Sequence, residues 1–311
     1  MVVRMAALCG ALAALALAAC QPLANMANSP TAEARHTTYE VPLDGATSAD
    51  LIIGSVVSAI HIQPLDPSSP LLLTAELGYI GELTTTAEGA EDRTVTITDE
   101  LNNASYNGPP LAFTIGLNRL PAVRLNVSSS SGDVNLNLRN FNVNALAVST
   151  ASGAVSALLP AGSGLYPVNA LTASGDIEFT LADNAAVQFQ SISTASGDIR
   201  ITAGNGGDIA GTMVNSSSGD ITLTFPAEVT AGFRIGTSSG NITIHVPDGL
   251  PVRLEVVSNA SGTVNVPASM TQVQGQSDLG VWQTAGYPET GPRVEIIITS
   301  TASGDVTIQQ Q

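Results

Sequence analysis

The sequence predicts an all-β protein that folds as a parallel β-solenoid with about 22 residues in each coil. Three observations support this prediction: a Ser-Gly pair recurs at a fixed period, apolar and polar residues alternate on both sides of each pair, and aromatic residues are scarce. Valine, isoleucine, threonine, serine, asparagine and glycine are prominent among the 311 residues, which favours strands and turns. Aromatic residues amount to only 4%, so any core must be aliphatic.

A serine followed by a glycine marks the corner of each predicted coil. Eight such glycines occur at steps of 21 or 22 residues, except for a last step of 42, which spans two periods and implies a degenerate or replaced coil. We interpret the pair as a tight turn that needs a positive φ, and the Asp or Asn that usually follows as an acceptor for the N–H groups of its own turn. The predicted turn residues are Ser131, Gly132, Asp133, Ser152, Gly153, Ser174, Gly175, Asp176, Ser196, Gly197, Asp198, Ser218, Gly219, Asp220, Ser239, Gly240, Asn241, Ser261, Gly262, Ser303, Gly304 and Asp305.

Apolar residues stand at fixed distances from each of these glycines. A β-branched residue lies two positions after all eight, an apolar residue lies four positions after them, and a third apolar column, Val257 included, lies five positions before seven of them. Only Thr299 breaks the third column. The period of two predicts a strand with one buried face on each side of the corner. Pro160, Pro226 and Pro247 all stand seven positions after a glycine, where they are predicted to end the second strand.

One such unit cannot bury its own apolar row, so successive units must stack, with equivalent strands paired about 4.8 Å apart. The solenoid repeats are predicted over 122–311, with an insert near 268–292 that folds over one end. Residues 36–121 follow the pattern loosely and are predicted to form a degenerate N-terminal β cap, in which 51–54 and 60–62 make a first coil. An antiparallel meander or sandwich is the rival fold, but it would not need identical corner residues at every period.

The first 20 residues have the features of a bacterial export signal. Arg4 supplies the positive charge, and the apolar run from Ala6 to Ala19 is too short to span a bilayer. The run ends in Leu-Ala-Ala-Cys, which resembles the lipobox of bacterial lipoproteins. That resemblance implies a lipoprotein signal peptide over 1–19 and lipidation of Cys20. An ordinary signal peptide with a chance cysteine is the alternative.

The segment 20–35 mixes Asn, Ala, Ser, Pro and Thr without apolar periodicity and is predicted to be a flexible tether. Two or more acyl chains on Cys20 would anchor the chain stably to a membrane. The lipoprotein pattern favours the outer membrane, if the cell has one, because Gln21 stands where an inner-membrane lipoprotein often has Asp. Cys9 lies in the predicted signal, so the mature chain has no thiol for a disulfide.

The charge balance narrows the possible partners. The chain has 26 acidic residues against ten arginines, contains no lysine and has a net charge of −16. This balance excludes a basic footprint for nucleic acid. It also argues against a peripheral anchor that works through anionic lipid headgroups. The predicted location is therefore the cell envelope, reached through the lipid anchor.

The recurring unit has an apolar residue two positions before Thr-Ala-Ser-Gly-Asp and a strand after it. This unit resembles an exported bacterial family of β-strand-repeat proteins known as "putative adhesin", a domain of unknown function. The resemblance covers about 48–310 and is strongest over 122–266. It implies a β-solenoid anchored at the envelope, with no catalytic residues, and some relatives are linked to envelope stress responses. Ala154 and Thr263 stand where aspartate is usual, so the carboxylate array is not uniform.

Two chemical roles for the corner residues compete with a purely structural one. Stacked coils would place Asp176, Asp198 and Asp220 in a line about 4.8 Å apart, where calcium could relieve their repulsion. Calcium takes about six to eight oxygen ligands, however, and each coil offers one carboxylate with Ser and Thr hydroxyls, so turn capping is the favoured interpretation. Ice-binding solenoids need two outward threonines in each coil, whereas one corner threonine is seen here. These threonines are Thr150, Thr172, Thr194, Thr237 and Thr301.

The sequence carries no motif for enzymatic chemistry in the structural context that the motif needs. There is no HExxH or CxxC, and His36, His61 and His245 lack metal-ligand spacing. The single GxSxG, at 236–240, is part of a repeated Ser-Gly corner with no predicted helix after it, so it does not indicate a hydrolase nucleophile. We predict no catalytic residue, metal or cofactor, and expect a non-enzymatic protein whose solenoid surface serves adhesion or binding to an envelope protein or glycan. A periplasmic envelope scaffold or stress-sensing partner of a membrane protein is the alternative, and a glycan-active β-helix enzyme is the second alternative.

Overall fold

The computed structural model describes residues 33–101, 106–162 and 164–311. The predicted signal peptide, Cys20 and nearly all of the predicted tether lie outside these residues. Within them every regular element is a strand. No helix in this part of the chain is long and apolar enough to cross a membrane.

Twenty-five strands in the described residues form two sheets, one of 12 strands and one of 13. In chain order the strands are β1 (Arg35–Pro42), β2 (Ser48–Ser55), β3 (Ala59–Pro64), β4 (Leu71–Tyr79), β5 (Glu82–Glu88), β6 (Asp92–Glu100), β7 (Ala112–Leu117), β8 (Ala122–Ser129), β9 (Val134–Asn137), β10 (Asn142–Thr150), β11 (Val155–Leu159), β12 (Tyr166–Thr172), β13 (Ile177–Leu181), β14 (Ala186–Thr194), β15 (Ile199–Thr202), β16 (Gly207–Ser216), β17 (Ile221–Thr224), β18 (Val229–Thr237), β19 (Ile242–Val246), β20 (Val252–Val256), β21 (Val264–Asn265), β22 (Met270–Gln276), β23 (Leu279–Thr284), β24 (Arg293–Ser300) and β25 (Val306–Gln310).

Each regular coil contributes one strand to each sheet. A long strand of the 13-stranded sheet leads into the Ser-Gly corner, a short strand of the 12-stranded sheet follows, and a return loop begins the next coil. Equivalent strands pair in parallel and in register. Val148 of β10 lies opposite Ala170 of β12, and Val155 of β11 lies opposite Ile177 of β13. The predicted parallel β-solenoid is confirmed, and the antiparallel meander is wrong for these coils.

The core lies between the two sheets and is built from the alternating apolar columns. Most of its side chains are Val, Ile and Leu, as the composition predicts. The middle of the solenoid also holds a row of neighbouring aromatic rings that are tilted against one another. Phe179, Phe189, Phe233 and Phe225 follow one another with ring centroids 5.3, 6.2 and 5.7 Å apart. Gly211 lies beside this row, where a Cβ would run into the Phe233 ring, so the coil needs glycine to admit the aromatic side chain.

The N-terminal region continues the solenoid but changes the order of its coils. Strands β2 and β3 form a coil that pairs in parallel with β8 and β9. On its other side this coil pairs with β6 and β7, which come later in the chain. The first coil of the sequence is therefore internal in space. Antiparallel strands then finish this end of the molecule, with β5 against β6, and β4 and β1 beyond β7.

The C-terminal coil is also out of order, which explains the step of 42 residues. Strands β24 and β25 lie between the coil of β18 and β19 and the coil of β20 and β21. Gly304 accordingly stacks on Gly240, and Gly262 stacks on Gly304. Of the two predicted explanations, a degenerate coil is wrong, and an insert between the last two coils is what the structure shows. The intervening segment forms the hairpin of β22 and β23. Strand β23 pairs with β20, and its own Trp282 is buried.

The third apolar column shifts by one residue in these last two copies. Val257 is 57% exposed, so its predicted place in the core is wrong. Val256 pairs with Ile298 instead, and both are buried. Ile235 of β18 pairs with Ile298, and the next residue, Gly236, pairs with Ser300. Thr299 has no partner between them and therefore lies at a β-bulge. A bulge keeps the apolar row facing inward while the corner glycine stays in its stack.

Candidate functional site

The corner glycines are required by the stacking of coils. A Cβ placed on any of the eight would lie less than 3.0 Å from a backbone carbonyl of the neighbouring coil, closer than real side chains come. For Gly175 the obstructing atom is the carbonyl oxygen of Gly153. The positive φ predicted for these turns is wrong, because no corner glycine is among the positive-φ residues of the described chain. The close approach of two backbones is therefore the reason for glycine here.

A column of buried hydroxyls holds each corner from inside. The hydroxyl oxygen of Thr194 accepts the Gly197 N–H at 3.0 Å, and its O–H donates to the Gly175 carbonyl oxygen of the adjacent coil at 3.2 Å. Ser216 makes the equivalent contacts with Gly219 and Gly197. The predicted corner threonines all occupy this inward column. They are Thr150, Thr172, Thr194, Thr237 and Thr301, and each is at most 8% exposed. They do not form an outward face.

The predicted aspartate turn residues form a second column, on the outside of the corner. Asp176 Oδ1 accepts the N–H of Asp198 at 2.8 Å, Asp198 Oδ1 accepts that of Asp220 at 2.9 Å, and Asp220 Oδ1 accepts that of Asn241 at 2.7 Å. Each side chain thus caps the backbone of the next coil. The prediction that it caps its own turn is wrong, because a parallel stack brings the equivalent N–H within reach. Arg200 forms an ion pair with Asp198 at 3.1 Å.

In the described residues, no group of three or more His, Cys, Asp or Glu side chains is arranged to hold a metal ion. A short hydroxyl array does occur on the outer face of the 12-stranded sheet, and we did not predict it. Two columns of threonines run across adjacent coils there. They are Thr180, Thr202 and Thr224, and Thr222, Thr243 and Thr307. Arg200 and His245 end the columns, so the hydroxyl face covers only a few coils.

The return loops form a polar recess on the surface of the solenoid. Loops between β7 and β8, β9 and β10, and β11 and β12 meet around a groove of about 620 Å³. Arg119 and Arg139 line it together with Asn142 and Asn144. Asn144 lies at the bulge where the pairing of β10 with β8 shifts register, which turns its side chain outward. We define these lining residues as the return-loop groove.

The return-loop groove combines cationic, amide and apolar groups. Leu165 is 56% exposed on its rim, and Phe141 and Tyr166 form a buried part of its wall. Burial raises the pKa of the Tyr166 phenol, which therefore stays a neutral donor at physiological pH. Its hydroxyl makes no hydrogen bond to the described residues. Neither Asp nor Glu lines the groove.

Sequence reasoning missed this groove. Its residues come from three separate loops and follow no motif, and Arg119 and Arg139 stand outside the repeat columns. The only available signal was the rarity of cations, since the chain has ten arginines and no lysine.

Comparison with known proteins identifies a family to which this chain is similar. A family model described as Toastrack DUF4097 matches residues 76–309. One similar solved structure, "a putative cell adhesion protein from Clostridium sporogenes", is 14% identical over 90% of this chain and 100% of that chain, with a TM-score of 0.29. Another, "a putative adhesin from Parabacteroides merdae", is 12% identical over 91% and 100%, with a TM-score of 0.28. Likeness at these scores bears on neither ligand nor location.

No curated protein matches the chain. The family assignment therefore depends on the match over residues 76–309, which covers well over half of the 311 residues. This span includes most of the solenoid coils and its N-terminal β6 and β7. By this match the chain belongs to the Toastrack DUF4097 family.

Proposed function

We propose that this chain is a non-enzymatic, lipid-anchored protein of the cell envelope that binds a ligand through the return-loop groove. The observation that carries the proposal is the groove itself, a recess of about 620 Å³ with two arginines and several asparagines in its lining. Its volume falls in the range of about 300–1,000 Å³ that is usual for ligand sites.

The solenoid gives this groove a rigid support. The three loops are spaced by coils that pair in parallel, and the corners of those coils are stacked without room for a side chain. A binding site formed on such a frame is preorganised, so little conformational entropy is lost when a ligand binds. The loops can vary in sequence while the buried columns stay the same.

The anchor supports an envelope location. The lipobox-like Leu-Ala-Ala-Cys that ends at Cys20 would anchor the chain to a membrane. The polar segment that follows would act as a spacer between the membrane and the solenoid. The outer membrane is the proposed membrane in a diderm cell, because Gln21 follows the cysteine. An adhesion role follows if the groove faces outward from the cell.

Binding is favoured over glycan cleavage by the lining of the recess. Glycoside hydrolysis by the usual mechanism needs two carboxylates beside the scissile bond. The return-loop groove has none in its lining. The smaller cavities beside β16 and β18 and beside β23 contain one glutamate each, Glu295 and Glu255.

A groove-filling substitution tests the binding site. Gly164 lies in the groove lining and a Cβ there meets nothing within 4 Å, so Gly164→Trp adds a large side chain at the groove without an immediate clash. Gly232 is a matched control, because it has the same free space and lies in a different surface depression. The mature protein, purified from membranes in detergent, is applied to an array of neutral and acidic glycans and of envelope proteins.

We expect Gly164→Trp to abolish the array signal and Gly232→Trp to keep it. Equal binding by both variants would overturn the groove as the site. Protease treatment of intact cells then addresses adhesion separately. Cleavage of the solenoid supports a surface role, whereas cleavage only after permeabilisation contradicts adhesion and favours the periplasmic scaffold or sensor.

A further inference from the structure

The two guanidinium groups in the return-loop groove have no carboxylate of their own. The ion pairs of the described residues involve other arginines, namely Arg93, Arg124, Arg200 and Arg253. Arg119 and Arg139 make neither an ion pair within 4.0 Å nor a side-chain hydrogen bond in this part of the chain. An unpaired arginine presents five N–H donors in a plane that matches a carboxylate.

These cations stand out against the charge of the whole protein. The chain carries a net charge of −16, yet no acidic residue lines the groove. The pKa of Asp66 is lowered mainly by hydrogen bonds from Ser68, and the attraction of Arg119 is the smallest of its causes. Asp66 is therefore already satisfied by Ser68. The groove is a local positive site on an acidic molecule, which attracts an anionic ligand.

The groups beside the arginines fit a sugar. Asn142 and Asn144 are exposed at the groove, and each side-chain amide can both donate to and accept from a hydroxyl. Leu165, with 56% of its surface exposed, offers an apolar contact for the C–H face of a pyranose ring. A ligand with hydroxyls, an apolar ring face and a negative charge uses all three kinds of group.

Resting on the proposed function, we propose that the return-loop groove binds a carboxylate-bearing saccharide. Its carboxylate lies on Arg119 and Arg139, and its hydroxyls lie on Asn142 and Asn144. The interaction is non-covalent, and the ligand leaves unchanged.

Tetragalacturonate and its fully methyl-esterified form are suitable probes, because they share the sugar and differ in charge. Isothermal titration with the mature protein in detergent measures both dissociation constants. We expect the acidic form to bind and the methyl ester to bind at least about tenfold more weakly, because the ester loses a charge-assisted hydrogen bond. Arg119→Gln and Arg139→Gln should each weaken binding of the acid by a similar factor and leave binding of the ester unchanged.

Arg234→Gln is the matched control, since Arg234 is an exposed arginine that lines a different depression. An equal loss of affinity in Arg234→Gln would show diffuse charge attraction and overturn the proposal. Equal binding of acid and ester, abolished by Gly164→Trp, would overturn the acidic ligand but leave the groove as a binding site. Failure of both probes, with no effect of Gly164→Trp on any array ligand, would overturn the proposed function as well.

Discussion

Asp99 and Asn259 occupy the same inward corner position at the two ends of the buried hydroxyl column. Asp99 lies beside Ser55, whose hydroxyl donates to Asp99 Oδ2 at 3.4 Å, and Asn259 lies beside Thr301, whose hydroxyl donates to Asn259 Oδ1 at 3.0 Å. The coils between them carry only Ser or Thr at this position. The Ser and Thr column therefore ends in a carboxylate at one end and an amide at the other, in the two coils beyond which no further coil of the described chain stacks.

The stacking of corner glycines predicts a large cost for one methyl group. Gly175→Ala places a Cβ against the Gly153 carbonyl and must separate the coils, so we expect a loss of about 1–3 kcal/mol of unfolding free energy or more. Urea denaturation followed by circular dichroism measures it. Gly232→Ala is the control, where a Cβ meets nothing within 4 Å, and it should leave the midpoint unchanged or raise it. Equal midpoints for the two variants would contradict the steric explanation.

The hydroxyl column predicts that its members act through hydrogen bonds. Thr194→Val keeps the shape but removes the acceptor for Gly197 N–H and the donor to Gly175, so it should lower the unfolding free energy by about 1–3 kcal/mol. Thr194→Ser retains both bonds and should lose less. Urea titration of the two variants compares them. A Val variant as stable as the Ser variant would show that burial alone matters here.

The aromatic row predicts a pair of coupled substitutions. Gly211→Ala should destabilise the fold by about 1–3 kcal/mol, because the added methyl meets the Phe233 ring. Phe233→Leu removes the obstructing ring and should relieve much of that cost in the double variant. A double-mutant cycle from denaturation midpoints gives the coupling. Strict additivity would mean that the two residues do not touch in solution.

Asp99 predicts a pH dependence of stability. Burial raises the pKa of its carboxyl above the ordinary value, and this effect outweighs the hydrogen bond from the Val56 N–H at 2.7 Å. The folded state then binds a proton more tightly than the unfolded state, so stability falls as the pH rises from the unfolded pKa of about 4 through the folded pKa.

Asp99→Asn removes this titration. We expect the stability of the variant relative to the native chain to increase with pH above about 4 and to level off once Asp99 is ionised in both states. Thermal unfolding between pH 3 and 7 measures the difference. A difference that is constant with pH would show that Asp99 has its ordinary pKa in the folded protein.

The sequence by itself determined the parallel solenoid, the coil length, the two strands of each coil and their corners. These features follow from local periodicity, since the residues two and four positions after each glycine face inward whichever coil lies next door. Predictions from local sequence were wrong where a residue is required by a coil that lies next to it in space. The corner glycines need no positive φ, because the Gly153 carbonyl rather than the turn itself excludes a side chain from Gly175.

The tertiary structure alone decided the order of the coils and the candidate site. Identical apolar rows fit any neighbouring coil equally well, so the repeat does not specify that β24 and β25 lie between two earlier coils, or that β2 and β3 become internal. The return-loop groove depends on that stacking too. Arg119, Arg139 and Leu165 belong to three successive return loops, and parallel pairing of their coils brings them to one recess.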